Sequence, residues 1–475
     1  MNGGRGTNGD PRQRRLWGHP EEALFVFLAV ATVAVLLALC RGMTFFADEW
    51  AIIEQRTISL DDWLRPFNEH WLGTTIVAYR LILGAFGMGS YLPYLALVAV
   101  LHVIVAAEIL VIVRRSSGPL IALAAASVVL LFGSGFENLF WGSQIGFIGA
   151  TALGLGALIL LEPGPGSDRP TARRAALAVA LLTIGMTTSG FGIFMLGVVG
   201  LEVLADRRRW LLVVPLAIPA GIYVAWFLAL GRSGVGFARD PFTAQALADV
   251  PRFILEGLGN AAGSAVGVGP TYGLFVMGAV AVGVAIRIAR GHAPGPRFLG
   301  VIGGIVAMYA ILGLVRGGVL DTAAFYPRYS YLSGILFLAA LASLVGRIDW
   351  PAAPLRRSAL RVIGVSVLSI SLVWNVRLLT LGRDVFLDRA ALTRALVETA
   401  LHPELPDVVD RDRDLILVPS PNSLERIVRR YGSPLNDTFV EPLPAIPDAT
   451  YDEAWRRVLE GNASSYPGLT RPARP

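Results

Sequence analysis

Charged residues are scarce in this chain: Asp, Glu, Lys and Arg make up only 16% of its 475 residues. A soluble domain carries about 25% charged residues, so the composition excludes an ordinary soluble protein. Lysine is absent, and the single cysteine, Cys40, excludes an internal disulfide and a cysteine-based metal cluster. The P-loop, the dinucleotide-binding glycine fingerprint, the HExxH zinc motif and the serine-hydrolase elbow are also missing. ATP-driven transport by this chain is therefore not indicated.

Apolar residues dominate instead, at 54% of the chain with a mean hydropathy of +0.59. They come in runs of roughly 18–23 residues, long enough to cross ~30 Å of hydrocarbon as helices. The sequence therefore predicts an all-α polytopic membrane protein. The net charge of +6 resides in arginines of short loops beside these runs, which indicates topology and contact with anionic membrane lipids, with no nucleic acid as partner.

The positive-inside rule orders the runs. Residues 1–20 are rich in Gly, Asn and Arg and are predicted to be disordered. Arg12, Arg14 and Arg15 place this segment on the cytoplasmic side. The run 23–40 is too long for a signal peptide and is predicted to be retained. Treating 71–88 as a helix on the outer surface places every Arg-rich short loop on the cytoplasmic side. About 11 spans result: 22–40, 91–113, 118–136, 141–161, 175–188, 190–205, 210–230, 271–290, 298–315, 330–346 and 362–379.

Two features of this layout indicate a cavity. Residues 175–205 are too few for two full spans and contain the breaker 187–192, so two short helices are predicted to meet inside the membrane around an outward-facing cavity. The transmembrane domain is assigned to 21–380, with outer loops at 41–90, 231–270 and 316–329. An amphipathic helix is predicted at 241–258. The rest, 381–475, is predicted to be a small extracytoplasmic α/β tail, with helices near 384–402 and 452–460 and a strand at 415–418.

The pair Asp48 and Glu49 follows the first span and is flanked by Phe45, Phe46 and Trp50. Apolar neighbours raise the proton affinity of a carboxylate, which suits a general base or a cation ligand. The alternative is an acidic pair at a helix start in the membrane interface, with Trp50 in the aromatic belt.

Two further acidic positions are candidates for substrate binding. Glu69 and His70 begin the surface helix and could bind a sugar, a phosphate or a metal, or could simply form the helix start. Glu137, with Gln144 further along, lies among aromatic residues that could stack on a sugar ring, or that form an ordinary aromatic belt. These motifs identify no particular cofactor, although a divalent cation such as Mg or Mn could use Asp48 and Glu137.

Arg328 lies at the outer start of a late span, between Tyr326 and Tyr329. A guanidinium matches phosphate oxygens, and the phenols can add hydrogen bonds, so this position suits a lipid-linked phosphate. The alternative is an arginine whose side chain reaches lipid headgroups.

The order of these motifs resembles the GT-C-fold glycosyltransferases. A first span, an outer loop that opens on Asp48-Glu49, and an Asn-Glu-His-Trp start at 68–71 to a surface helix that ends at Phe86-Gly87 carry the resemblance. This family includes the protein mannosyltransferases, the aminoarabinose transferases and the mycobacterial arabinofuranosyltransferases. The likeness in layout extends over roughly 20–380, and the short tail departs from the large carbohydrate-binding domains of some members.

The resemblance implies a GT-C-like bundle and an inverting transfer of a sugar from a polyprenyl-phosphate donor to a lipid or glycan acceptor outside the plasma membrane. It further implies that Asp48, or alternatively Glu49, is the general base, and that Arg328 stabilises the leaving phosphate. A transporter or flippase for a lipid-linked or small anionic substrate is the alternative, and the break at 187–192 is its best support. A non-catalytic membrane scaffold is a third reading. The glycosyltransferase hypothesis predicts that Asp48, Glu137 and Arg328 line one cavity.

Overall fold

The structure, a computed structural model, describes residues 20–164, 167–234, 242–316, 323–346, 354–403, 411–412, 414–415, 417–436 and 443–459. The disorder predicted for 1–20 lies outside these residues except at Pro20, which begins the first helix. The described residues form α-helices joined by turns and short 3₁₀ segments, and they contain no β-strand. The α-helices are α1 Pro20–Leu39, α2 Asp48–Gln55, α3 Leu60–Leu64, α4 Gly73–Phe86, α5 Leu92–Ser117, α6 Pro119–Leu130, α7 Phe136–Phe140, α8 Ile145–Leu161, α9 Ala172–Thr188, α10 Phe191–Leu204, α11 Val213–Ala229, α12 Ala244–Val266, α13 Gly269–Ala289, α14 Pro296–Arg316, α15 Pro327–Val345, α16 Pro354–Ala400, α17 Pro421–Tyr431 and α18 Asp448–Leu459.

Nine helical stretches of the described chain are long and apolar enough to cross a membrane. They are Pro20–Leu39, Leu92–Ser117, Pro119–Phe140, Gly142–Leu161, Arg207–Ala229, Gly269–Ala289, Pro296–Arg316, Pro327–Val345 and Ser358–Ala400. The remaining two predicted segments are the short helices α9 and α10. The polytopic all-α fold expected from the hydrophobic runs is thus confirmed.

The outer surface of the bundle is apolar, as a lipid-facing surface requires. On α13, only Gly269 and Gly273 are buried, while Phe275 is 76% exposed and Val282 is 59% exposed. In water such a helix would leave a large apolar face uncovered. The exposed side chains of α13 therefore fit a bilayer rather than an aqueous surface.

Ion pairs and hydrogen bonds join the Arg-rich loops to one another at one end of the bundle, called here the arginine end. Arg114 pairs with Glu22 at the start of α1, and Arg115 pairs with Glu162 after α8. Further contacts at this end are Arg174 to the Ile159 carbonyl, Arg169 to the Arg208 carbonyl, Arg297 to Glu202 and Arg287 to the Leu344 carbonyl. The alternation of helices that the arginine pattern predicted is therefore present in the fold.

Helices α2, α3 and α4 lie at the opposite end, called the cavity end. Helix α4 has 14 residues and is about 21 Å long at 1.5 Å per residue, too short to cross ~30 Å of hydrocarbon. Its first turn packs on the junction of α9 and α10, where Thr74 bonds Thr187 and Thr75 donates to the Thr188 carbonyl. The segment predicted as a surface helix at 71–88 is this short helix.

The last span and the tail differ from the prediction in two respects. A span at 362–379 and a separate helix at 384–402 were expected, but both belong to the single 47-residue helix α16. The domain boundary expected at 380 falls inside this helix, because neither a proline nor two adjacent glycines interrupt it there. Helix α12 extends the amphipathic helix expected at 241–258, and α18 takes the place of the helix expected at 452–460. At 415–418 the described residues form no strand, and residue 416 lies outside them.

Candidate active site

A cavity of about 300 Å³ opens at the cavity end of the bundle. Its wall is built from segments far apart in sequence: the start of α2, the turn before α4, the starts of α8, α10 and α15, and the last turns of α11 and α14. Among the residues that sequence reasoning selected, those that line it are Asp48, Glu69, His70, Gln144, Arg328 and Tyr329. Glu137 was expected to line the cavity with Asp48 and Arg328, but it is not part of the lining and contacts this set through Arg328. Glu49 and Tyr326 are not part of the lining either.

Asp48 is the first residue of α2, and the strained backbone of the residue before it sets the direction of its side chain. The preceding Ala47 has φ +48° and ψ −113°, a conformation that residues with a side chain rarely adopt. Such strain costs about 1–3 kcal/mol and persists only where surrounding contacts enforce it. Two contacts do so next to Ala47: the Phe46 amide donates to Glu49 at 2.8 Å, and Trp141 Nε1 donates to the Phe46 carbonyl at 3.3 Å.

Glu49, the alternative base, is completely buried beside the cavity. Besides the Phe46 amide, its carboxylate accepts hydrogen bonds from the hydroxyls of Tyr79, at 3.0 Å, and Tyr91, at 2.9 Å. Burial raises the pKa of Glu49 to about 8 despite these donors. The Glu49 side chain is thus directed into the protein, where it holds the α2 loop against α4 and α5.

Arg328 stands on the first turn of α15 and faces the cavity. It donates to the Glu137 carboxylate at 2.5 Å, and its guanidinium lies over the rings of Trp141 and Tyr326, 5.5 and 5.7 Å from their centroids. Glu137 is only 6% exposed, whereas the Arg328 side chain is 29% exposed, so the carboxylate is shielded from water and the guanidinium is not. These contacts fix the direction of the guanidinium, and its charge remains close to the cavity.

A second arginine, Arg316, lines the cavity at the last turn of α14 and forms an ion pair with Glu69. Sequence reasoning did not select it, although the signal was present. Arg316 borders the same predicted outer loop as Arg328, and arginines are rare on that side. The structure thus places two guanidiniums on one cavity wall, each held by a carboxylate from another segment.

His70 lies against the break between α9 and α10. A side-chain carbon added at Gly190 would come within 2.6 Å of His70 Nδ1, so only glycine allows this approach. Burial lowers the pKa of His70, and Arg316 and Arg328 lower it further, against the opposing effect of Glu69. Below Gly190, Phe191 and Phe194 of α10 form an apolar part of the lining. The helix break predicted at 187–192 therefore reaches the cavity.

Asp48 is exposed at the cavity wall, yet the limited hydration of the cavity raises the pKa of its carboxyl group. Arg328 opposes this shift and Glu69 adds to it. A carboxylate with raised proton affinity beside a fixed cation can accept a proton from a hydroxyl while a neighbouring anion is stabilised.

A divalent cation at Asp48 and Glu137 would need a different arrangement from the one observed. Glu137 directs a carboxylate oxygen to Arg328. Within the described ranges, no three side chains of His, Cys, Asp or Glu are grouped so that they could hold a metal ion. Gln144, the other polar residue from this region, accepts a hydrogen bond from the Asn138 amide at 3.0 Å.

Comparison with known proteins gives a fold-level likeness. No family model and no curated protein matches the chain. Among solved structures, the chain is similar to the crystal structure of ArnT from Cupriavidus metallidurans bound to undecaprenyl phosphate, at 16% sequence identity and a TM-score of 0.46. The likeness covers 82% of this chain and 81% of that one. At this level of similarity the activity has to be argued from the residues of the chain itself.

Proposed function

We propose that the protein is a membrane glycosyltransferase of the GT-C type, which transfers a sugar from a polyprenyl-phosphate donor to an acceptor hydroxyl. The observation that carries the proposal is the placement of Asp48 and Arg328 on the wall of one cavity. These residues are 280 positions apart in the sequence. They are two of the three that the glycosyltransferase hypothesis expected on one cavity, and the third, Glu137, contacts Arg328 without lining the cavity.

The proposed chemistry assigns one role to each side of the cavity. Asp48 accepts the proton of the acceptor hydroxyl while the oxygen of that hydroxyl forms a bond to the anomeric carbon. The bond between that carbon and the phosphate oxygen breaks, with inversion. Arg328, supported by Arg316, stabilises the negative charge on the leaving phosphate.

The membrane orientation follows from the arginine end. Arg-rich short loops stay in the cytoplasm, so the cavity faces the outside of the plasma membrane. Nucleotide sugars are not available there, and a lipid-linked sugar is the consistent donor. Two guanidiniums beside an apolar wall suit a phosphate head with an apolar chain.

The deciding experiment is transfer from a radiolabelled polyprenyl-phosphate sugar in membranes that contain the protein. Asp48→Asn should lower the rate by about 10²–10⁴-fold, because it removes the general base. The matched control is Asp61→Asn, the same chemical change in an exposed acid of α3, which should leave the rate unchanged. An arm with EDTA tests a need for Mg or Mn. Wild-type transfer by Asp48→Asn would remove Asp48 from the base role.

A transporter for a lipid-linked or small anionic substrate is the second candidate, and one observation favours it. The break between α9 and α10 lies at the cavity, where discontinuous helices of transporters bind substrate. Proteoliposomes with a labelled lipid-linked sugar separate the two functions. Movement of the intact lipid between leaflets without sugar transfer would support transport, and transfer to an acceptor without such movement would support the enzyme.

A further inference from the structure

The segment that carries Asp48 is too short to be stable by itself. Helix α2 has eight residues, and isolated helices below about 12–15 residues are marginal in water. Its position must therefore be set by tertiary contacts. Residues of the C-terminal part of the chain hold this segment on both sides of Asp48.

At the C-terminal end of α2, the last turn is held through Arg80 of α4. One guanidinium nitrogen of Arg80 donates to the Ile53 carbonyl at 2.8 Å, and the other donates to the Tyr431 hydroxyl at 2.8 Å. The final carbonyls of a helix lack partners inside it, so Arg80 supplies a bond that α2 cannot make for itself. Tyr431, at the end of α17, fixes the direction of that guanidinium.

The main chain of Tyr431 makes a second contact with the same region. Its carbonyl accepts from the Met88 amide at 2.8 Å, just beyond α4. A side-chain carbon on Gly87 would come within 2.4 Å of this carbonyl, and Gly87 has φ +61°. The close approach thus needs glycine for two independent reasons. Tyr431 is thereby tied to the segment that ends α4.

On the N-terminal side of Asp48, the preceding loop is held by Arg394 of α16. The guanidinium of Arg394 donates to the Gly42 carbonyl at 3.1 Å and to the Pro444 carbonyl at 3.3 Å. Arg394 is only 3% exposed, so few water molecules can replace these bonds. Pro444 also packs against Gly42, where a side-chain carbon would come within 2.9 Å of the proline ring.

From these contacts we infer that Tyr431, acting through Arg80, and Arg394 are positioning residues for Asp48, and that the C-terminal part of the chain acts as a brace for the catalytic loop. The brace explains how the strained conformation of Ala47 persists, since both flanks of the strained residue are anchored. The inference rests on the proposed function, because it assigns the brace to the general base. A loosened brace lets Asp48 leave its place without altering the phosphate-binding arginines.

The first test measures the brace without any substrate. Hydrogen–deuterium exchange is followed on the full chain in lipid nanodiscs, for peptides that cover 41–55. Tyr431→Phe keeps the ring and removes the hydroxyl, and exchange in α2 should become about threefold to tenfold faster. The matched control is Arg429→Gln on the same helix, where a 79% exposed arginine pairs with Glu425, and wild-type exchange is expected. Should Tyr431→Phe fail to fold, Arg80→Gln tests the same connection from its other partner.

The second test asks whether the brace acts through Asp48. Tyr431→Phe should lower kcat for sugar transfer several-fold with KM for the donor unchanged, and it should have no further effect when combined with Asp48→Asn. Wild-type exchange in α2 of Tyr431→Phe would overturn the brace itself. A further rate loss in the double variant would overturn its action through Asp48. Full transfer by Asp48→Asn alone, with faster exchange in Tyr431→Phe, would remove Asp48 from the base role. No sugar transfer by the wild type, with faster exchange in Tyr431→Phe, would instead show that the proposed function fails while the brace stands.

Discussion

A buried ion cluster at the arginine end allows a stability prediction with a defined size. Glu202 of α10 is 3% exposed and accepts hydrogen bonds from Arg209, at 3.2 and 3.3 Å, and from Arg297, at 3.0 and 3.1 Å. Arg209 is itself 5% exposed. Glu202→Ala would remove the carboxylate that both guanidiniums share and would leave the buried Arg209 with Asp206 alone. Breaking a buried pair in this way costs about 3–5 kcal/mol.

The assay is thermal unfolding of the purified chain in nanodiscs. The apparent Tm of Glu202→Ala should fall by at least about 5 °C, given the shift per kcal/mol seen in large domains. The control is Arg208→Gln, which breaks the pair with Asp168 at the same end, where both side chains are more than 70% exposed. Exposed pairs contribute about 0–1 kcal/mol, so this change should be small. Equal losses for the two variants would refute the burial argument.

Two further predictions concern the cavity. The acidic limb of the pH–rate profile should report Asp48, which is active when ionised. Because the positive charge of Arg328 lowers the pKa of Asp48 and Glu69 raises it, Arg328→Gln should move that limb to higher pH and Glu69→Gln to lower pH. Shifts of the same sign would contradict this assignment. Gly192→Ala should sharply reduce the yield of folded protein, because the added carbon would lie 2.4 Å from the backbone of α9. Folded protein at wild-type yield, measured by size-exclusion chromatography, would show that the break tolerates a side chain.

The sequence was most informative where membrane insertion follows from local composition. Apolar runs and arginines act residue by residue on the partition into a bilayer, so the spans and their alternation could be predicted. The short helix α4 and the break before α10 followed from the same pattern. The continuity of α16 could not, because its second half remains helical through packing against α18 and the loop before α2, which composition does not encode.

The candidate site could be predicted in its members but not in its contacts. Aromatic and apolar neighbours drew attention to both Asp48 and Glu49, and sequence alone gave no means to tell which one faces the cavity. The difference is one helical position, decided by the backbone of Ala47. The partnership of Arg328 with Glu137 and that of Arg316 with Glu69 depend on how distant helices pack. Arg316 was missed for that reason.

The arginine end also offers a way to choose between the enzyme and the transporter. Alternating access would require α10 and α14 to separate at this end in every cycle, which would break the Glu202 cluster and loosen the close packing of Gly304 on Val198 near the middle of α10. A side-chain carbon at 304 would lie 3.2 Å from the Val198 Cβ, slightly under the distance that a disulfide spans, so cysteines at the two positions should cross-link after a small adjustment. Cys40, the chain's own cysteine, is buried and should not interfere. An enzyme whose cavity faces one side has no need to open the other, so oxidised Val198→Cys with Gly304→Cys should transfer sugar within about twofold of its reduced form. Movement of the intact lipid-linked sugar between leaflets of proteoliposomes that is lost on oxidation and restored by a reductant would instead show that α10 and α14 must separate, and would favour transport.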